Sequence, residues 1–386
     1  MRNYRQVARV SANLSCRFFT REVTGTFFDR AQARLYDSIR EASETQMHAR
    51  RQQRSPFAGP PVKAVEPGAR FSVVIVNYNG GPMLLACVSS AVREGVPASR
   101  IILVDNGSHD DSLANLLQKF PEVVILRNPC NAGFARAVNS GIQVASTEFI
   151  LLLNNDAQLE PKALRALAEG FDRFPSLAIA GGQLRYPDGR LQNAFAPLPS
   201  LVEEILPLSL LKLIDPVRFR RKSVDNRPIF VDCVFGACLC VRRSVLPPLG
   251  FLDEGFFFFF EEIDWCRRAQ RLGFEVCHLP AAKAVHGGGL TANRFRGPAR
   301  VEYQRSKLTY FRKASGTAGY VAVSVVLFLR TLVNALAGGV ACLATLFLNR
   351  RLRTRAATYW YLVCWHILLR PASWGLPGKC PRAGGM

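Results

Sequence analysis

The stretch Phe149-Ile150-Leu151-Leu152-Leu153-Asn154-Asn155-Asp156 carries an unbroken apolar run into an acid. A run without alternation is the pattern of a strand covered on both faces. An Asp at the carboxyl end of such a strand faces the crevice where open α/β sheets bind ligands. Much later in the chain, five consecutive phenylalanines (256–260) lead into Glu261, Glu262 and Asp264. A carboxylate at a strand end can hold a metal ion on a diphosphate, and a carboxylate walled by aromatic rings can serve as a base. The pair points to group transfer from an activated, phosphate-bearing donor.

Working outward from 149–156, strands are expected at 71–76, 101–104, 123–126 and 177–180. Helices are expected at 83–93, 111–119 and 134–145, and from Pro161 onward. This alternation predicts a mostly parallel sheet with right-handed crossovers. Residues 185–230 read as irregular, residues 230–241 as a strand pair around Gly236-Ala237, and a helix runs from near Glu262 to 272. Beyond 307 the chain turns apolar: 318–329, an interruption at Arg330, then 331–349.

The net charge of +21 is unevenly placed. Residues 71–290 hold 22 basic and 22 acidic side chains, while residues 291–386 hold 15 basic ones against the single acid Glu302. A nucleic-acid binder would carry the excess on its folded domain. Basic residues around apolar segments suit an anionic membrane surface instead. Eleven cysteines without a Cys-x-x-Cys pair suggest free, mostly buried thiols in a reducing compartment and argue against a disulfide framework. No signal peptide is evident. The expected organisation is a basic arm and linker over 1–70, a catalytic domain over 71–306 and a basic, apolar helical region over 307–386.

Polar clusters follow four successive strands, on one edge of the sheet. Asn77 and Asn79 follow the first and Asp105 the second, where its carboxylate can meet a nucleoside. Asn131, Gly133 and Arg136 surround a helix start that suits a diphosphate. Asn155 and Asp156 follow the fourth. Asp156 is the metal candidate, since hard divalent cations use one or two carboxylates plus substrate phosphate. His286, before Gly287-Gly288-Gly289, is a second candidate ligand that would favour Mn2+ over Mg2+. Of the acids behind the phenylalanines, Glu262 is the candidate base, with Glu261 and Asp264 as alternatives.

In this order the motifs resemble glycosyltransferase family 2, in its bacterial rhamnosyltransferase-like branch. The anchors are Val-Val-Ile-Val-Asn-Tyr-Asn (73–79), Val-Asp-Asn-Gly-Ser (104–108), Asn-Ala-Gly-Phe-Ala (131–135), Leu-Leu-Asn-Asn-Asp (152–156), Phe-Leu-Asp-Glu (251–254), Glu-Glu-Ile-Asp-Trp-Cys-Arg-Arg (261–268) and His286. The resemblance implies a GT-A fold, a nucleotide-diphosphate sugar donor, a divalent cation (Mg2+ or Mn2+) and inversion at the anomeric carbon. It places Asn77 and Asn79 in the nucleotide loop, Asp105 on the nucleoside, Asp156 and His286 on the metal, and Glu262 as base. Asn154 stands where a stricter motif has its first acid. The Gln-x-x-Arg-Trp signature of processive synthases is absent, which favours one sugar per binding event.

Residues 331–349 supply 19 mainly apolar positions with basic flanks, against the ~20 that a spanning helix needs. They can span, pair with 318–329 as a hairpin, or lie in the interface. The expected acceptor is a saccharide, lipid-linked, in surface polysaccharide assembly at the cytoplasmic face of a bacterial inner membrane. Two rivals remain: a sugar nucleotidyltransferase, which would show a Gly-rich loop with a nearby Lys, and a non-catalytic membrane-bound nucleotide-sugar binder. Donor identity and oligomeric state are not legible.

Overall fold

The computed structural model describes residues 66–216, 218–219, 221–222, 225–288 and 295–380. The expected arm, 1–70, lies outside these except for 66–70, where Pro67–Arg70 forms a 3-10 turn.

Strands β1 (Phe71–Asn77), β2 (Ile101–Asp105), β3 (Val124–Arg127) and β4 (Phe149–Leu153) are parallel, with Val73 opposite Ile101 and Leu151, and Ile102 opposite Val124. Helices α1 (Gly81–Arg93), α2 (Ser112–Lys119) and α3 (Phe134–Val144) connect them. Every residue of β4 is buried, as its unbroken apolar run requires. After β5 (Ala157–Leu159) and α4 (Ala163–Arg173) comes β6 (Leu177–Arg185). The strand order is β3-β2-β1-β4-β10-β6-β11-β5, where β10 is Cys238–Arg242 and β11 is Glu275–His286. This is the expected α/β sheet flanked by helices.

The sheet is more mixed than expected. β10 runs antiparallel to both neighbours, with Cys238 opposite Leu153 and Leu239 opposite Gly181, and β5 is antiparallel to β11. The cause is local. Asn154 N–H donates to Ala237 O at 3.1 Å, so the chain enters β10 at the carboxyl end of β4 and must run back along it.

Residues 230–241 do not form the expected strand pair. β8 (Ile229–Phe230) pairs with β11 and β9 (Cys233–Val234) with β7 (Phe195–Ala196), while β10 joins the main sheet. The stretch expected to be irregular holds β7 and two short helices, α5 (Leu201–Ile205) and α6 (Leu208–Ile214). Ser200 caps α5 by accepting from Glu203 N–H. α4 begins two residues after Pro161, because the Glu94 carboxylate accepts from the N–H groups of Lys162 and Leu164 at 2.9 and 3.1 Å. The short α7 (Leu246–Leu249) and then α8 (Glu261–Arg271) complete the sheet domain.

The C-terminal helices are organised differently from the expectation. α9 covers Arg296–Ala344 but breaks at Gly316, whose φ of 68° and ψ of −162° are not helical. The two arms fold back on each other: Gln304 Nε2 donates to Thr331 Oγ1 at 3.2 Å, and α10 (Arg350–Ile367) joins them through His366, 2.7 Å from Gln304 Oε1. The expected boundary at 306/307 therefore falls inside the first arm. Arg330 does not interrupt the second arm. Its side chain stays exposed and reaches across to donate to Glu204 O at 3.0 Å, while Lys307 pairs with the Glu204 carboxylate at 2.6 Å. The outer face of that arm is apolar and exposed at Val321, Val325, Leu329, Val333, Leu336, Val340 and Leu343. By length and composition α9 could cross a membrane.

Glu302, the single acid of this region, is fully buried. It accepts from Arg305 at 2.9 and 3.0 Å, from Lys379 and from Leu376 N–H at 3.2 Å. These contacts draw the tail back onto the sheet domain, where Asn131 N–H donates to Gly378 O at 2.8 Å and Cys130 is disulfide-bonded to Cys380. Among the described residues eight cysteines are free and all but Cys364 are buried, as expected. The disulfide corrects the expectation that all the thiols are free. Its partners lie 250 residues apart, so no spacing rule could pair them.

The Gly316 conformation is one that only glycine adopts readily. Gly316→Ala is expected to destabilise the helical fold-back by about 1–3 kcal/mol. Chemical denaturation followed by tryptophan fluorescence would check it; an unchanged midpoint would show that the bend does not depend on this residue.

Candidate active site

Three strand ends are knotted together by one buried amide. Asn77 Nδ2 lies 3.2 Å from Asp105 Oδ1 and 3.0 Å from both Ser108 Oγ and Ser112 Oγ, and its Oδ1 accepts from Asn155 Nδ2 at 3.1 Å. The first, second and fourth polar clusters thus meet at one side chain, on the sheet edge where the sequence put them. Asn77 is fully buried and its amide is spent within the protein, so it positions the loop. Asn79 has a left-handed backbone (φ 53°) and its Oδ1 accepts from His109 N–H at 2.8 Å. Asp105 Oδ2 accepts from Ser108 N–H at 3.2 Å. A carboxylate has about four acceptor sites, which leaves capacity for a ribose or base edge.

The third cluster is built the same way. Asn131 Oδ1 accepts from Asn106 Nδ2 and Gly133 N–H, at 3.3 and 3.1 Å. Gly133 (φ 92°) has no room for a Cβ, which would lie 2.8 Å from the Phe257 carbonyl oxygen. Phe134 N–H donates to that same oxygen at 2.7 Å, tying the start of α3 to the phenylalanine run. Arg136 is exposed and 3.7 Å from Glu254, on the outer side of the helix.

Asp156 and His286 come together, with Oδ1 and Nε2 3.2 Å apart. The pairing of β5 with the end of β11 sets Ala157 opposite His286 and brings the two side chains into reach. Asn154 Nδ2 lies 3.4 Å from the same ring nitrogen. Sequence reading missed Gln192, which has no motif around it. Its Nε2 donates to the carbonyls of His286 and Arg185 at 2.7 and 3.2 Å, so its Oε1 faces His286 Nδ1 at 2.9 Å. Nδ1 therefore carries the proton, and Nε2 is directed at the Asp156 carboxylate. Asp156 Oδ1 and His286 Nε2 form a pair of lone-pair donors of the kind a divalent cation takes. Among the described residues no group of three or more His, Cys, Asp or Glu could hold a metal, so a cation here would complete its shell from substrate and water.

Glu261 and Glu262 open α8 behind two strained residues. Phe259 and Phe260 have φ of 70° and 71°, a left-handed conformation that costs of order 1–3 kcal/mol each outside glycine. Phe256 and Phe260 are buried and hold that conformation. Glu261 is buried, and the loss of hydration together with the neighbouring Glu262 pushes its carboxyl well above the usual range. Burial pushes Glu262 up to about 7. Glu262 keeps partial exposure as a residue, but its Oε2 is sealed and has no hydrogen-bond partner, as does Glu261 Oε2. Asp264, the other alternative, is salt-bridged to Arg268 and Lys313, each at 2.8 Å. Glu262 packs by the Gly236-Ala237 turn, where a Cβ on Gly236 would lie 3.9 Å from its own Cβ. The same turn receives Asn154 N–H. The segment leading to Asp156 and the start of the acidic helix thus meet at one turn.

Residues 72–247 match the sequence model of Glycosyl transferase family 2. Over that stretch the chain is similar to the family. It is 29% identical over 268 residues to the N-acetylglucosaminyl-diphospho-decaprenol L-rhamnosyltransferase of Mycobacterium tuberculosis (strain CDC 1551 / Oshkosh), covering 64% of this chain and 85% of that protein. It is 25% identical over 241 residues to the low-salt glycan biosynthesis hexosyltransferase Agl10 of Haloferax volcanii, covering 60% of this chain and 71% of the relative. A mannosyltransferase from Pyrobaculum calidifontis, solved with GDP-Man and Mn2+, superposes with a TM-score of 0.42 at 14% identity, over 83% of this chain and 92% of that one. The rhamnosyltransferase-like resemblance of the glycosyltransferase is thus borne out.

A carboxyl with a raised folded pKa stabilises the protein below its unfolded value near 4.5, and that contribution fades as pH rises toward the folded value. Glu261→Gln should therefore raise the melting temperature, with a gain that grows from pH 5 to pH 8. Thermal melts at both pH values would check this; an equal gain at each would mean Glu261 is not held protonated.

Proposed function

We propose that this glycosyltransferase moves one sugar from a nucleotide-diphosphate sugar to a hydroxyl of a lipid-linked saccharide, with inversion, during assembly of surface polysaccharide. The observation that supports the reading is the Glu262 carboxyl, poised near neutrality by burial, beside the Gly236-Ala237 turn that also receives the Asn154 N–H two residues before Asp156. A base with a pKa near the working pH combines availability with driving force. The acceptor O–H proton passes to Glu262, the new bond forms on the face of the anomeric carbon opposite the nucleotide, and the bond to the diphosphate oxygen breaks. Glu261, held protonated beside it, leaves the charge to Glu262.

Asp156 Oδ1 and His286 Nε2 would hold the divalent ion, Mg2+ or Mn2+, with the imidazole favouring Mn2+. Bound there, it would neutralise charge developing on the departing nucleoside diphosphate. Asn77, Asn131 and Asn155 hold the loops that receive the nucleotide, with Asn79 and Asp105 turned toward the nucleoside. Arg136 stands at the rim, where Glu254 competes for it.

The relative from Mycobacterium tuberculosis is named for an acceptor carried on a polyprenyl diphosphate, and the outer stripe of the second α9 arm suits an apolar bilayer. An apolar face of this length is unusual in water. With the basic flanks, it supports attachment at the cytoplasmic side of the inner membrane. In domain terms, the sheet domain from residue 71 would carry the chemistry and the helices from Arg296 onward the attachment.

Glu262→Gln should lower transfer by ~100-fold or more while donor binding holds. The wild-type kcat/KM should rise with pH through an inflection near 7, the value burial imposes on Glu262. Turnover retained in the variant would move the base elsewhere. Asp156→Asn and His286→Ala should each weaken Mn2+ binding by ~10-fold or more in calorimetric titration; affinities matching wild type would remove these two residues from the metal site.

A further inference from the structure

A second site lies where the helices meet the phenylalanine run. A cavity of about 600 Å³ opens between the start of α9 and the first half of α10. Arg296 and Arg300 enter it from α9, one turn apart, and Arg355 enters it from α10. No acid lines it, and none of the three arginines has a carboxylate partner among the described residues. The neighbouring acid, Glu302, is fully buried and committed to Arg305 and Lys379. The Arg300 and Arg355 guanidinium carbons lie 5.5 and 5.9 Å from the Tyr359 ring centroid. That ring orients both cations without consuming their N–H donors. Converging guanidinium forks without counter-charge are suited to phosphate oxygens.

Two neighbours narrow the choice of anion. On one side the cavity is walled by Phe259, whose ring packs on Tyr303 at 5.5 Å and which stands three residues before Glu262. Behind α10, whose Ala356 meets Gly338, runs the second α9 arm with its exposed apolar stripe. An anion held here sits between an apolar surface and the candidate base. That order fits a molecule made of an apolar chain, a diphosphate and a saccharide. We propose that Arg296, Arg300 and Arg355 bind the diphosphate of a lipid-linked acceptor and so direct its saccharide toward Glu262. This rests on the acceptor reading above and gives it a binding site.

The test uses the full chain in detergent, comparing wild type with Arg300→Gln/Arg355→Gln and Arg300→Lys/Arg355→Lys. Farnesyl diphosphate is the probe, titrated calorimetrically, alongside flotation with phosphatidylglycerol vesicles. The Gln pair should bind farnesyl diphosphate at least ~10-fold more weakly, with the Lys pair intermediate and vesicle binding retained. Equal affinity for the probe in all three proteins would overturn the proposal. So would a parallel loss of probe and vesicle binding, since the cleft would then read bilayer charge. Arg296→Gln, an exposed single change, serves if the double variant fails to fold. Calorimetric binding of a nucleoside diphosphate in the presence of Mn2+ tests the transferase reading separately. Its absence in wild type would sink that reading whatever the probe does.

Discussion

The hydrogen bond from Asn154 N–H to Ala237 O fixes where the two halves of the site meet. It closes the ladder between β4 and an antiparallel β10, and in doing so it delivers the Gly236-Ala237 turn to the carboxyl edge of the parallel strands. Everything downstream inherits that placement. Glu262 packs against the turn, β11 returns alongside β6, and the end of β11 carries His286 to Asp156. A parallel strand at this place would have sent the 236–237 turn to the opposite edge, away from the nucleotide loops.

The site is assembled from groups that are unfavourable alone and stabilised by neighbours. Two consecutive left-handed phenylalanines begin the helix that bears the acids, and their rings are buried enough to hold the strain. Two adjacent carboxyls lose hydration together, which keeps one protonated and leaves the other near neutrality. The shift of Glu262 from 4.5 to about 7 is worth roughly 3 kcal/mol against its charged form. A carboxylate so destabilised is a better proton acceptor at neutral pH than one in water.

Burial of charge also shapes the C-terminal region. Glu302 and Glu204 are buried acids that each gather two cations, Glu302 from Arg305 and Lys379, Glu204 from Lys307 and Arg330. Arg330 shows why charge alone misleads. In a linear reading it divides an apolar run, yet in the folded chain the helix continues through it, and its exposed guanidinium reaches back to Glu204 beside the apolar stripe. Arg296, Arg300 and Arg355, which line the cleft beside Phe259, have no such partner among the described residues.

The parallel half of the fold was legible because periodicity and strand-end chemistry are local. The 149–153 strand has the same bounds in sequence and structure, and the helices after β1, β2 and β3 begin within two residues of their expected starts. Asp156, His286 and Glu262 were legible as residue types in an ordered set of motifs. Gln192 was not, because an isolated glutamine becomes meaningful only when sheet pairing sets it beside His286. The Cys130–Cys380 bond, the reversal of β10 and the fold-back at Gly316 were likewise invisible. Each depends on which distant segments touch, and that is decided by burial and hydrogen bonding summed over the whole chain. Sequence alone determined the strands, their polar ends and the chemistry on offer; tertiary structure decided which acids share a turn and which arginines go unpaired, because only packing sets distances between residues far apart along the chain.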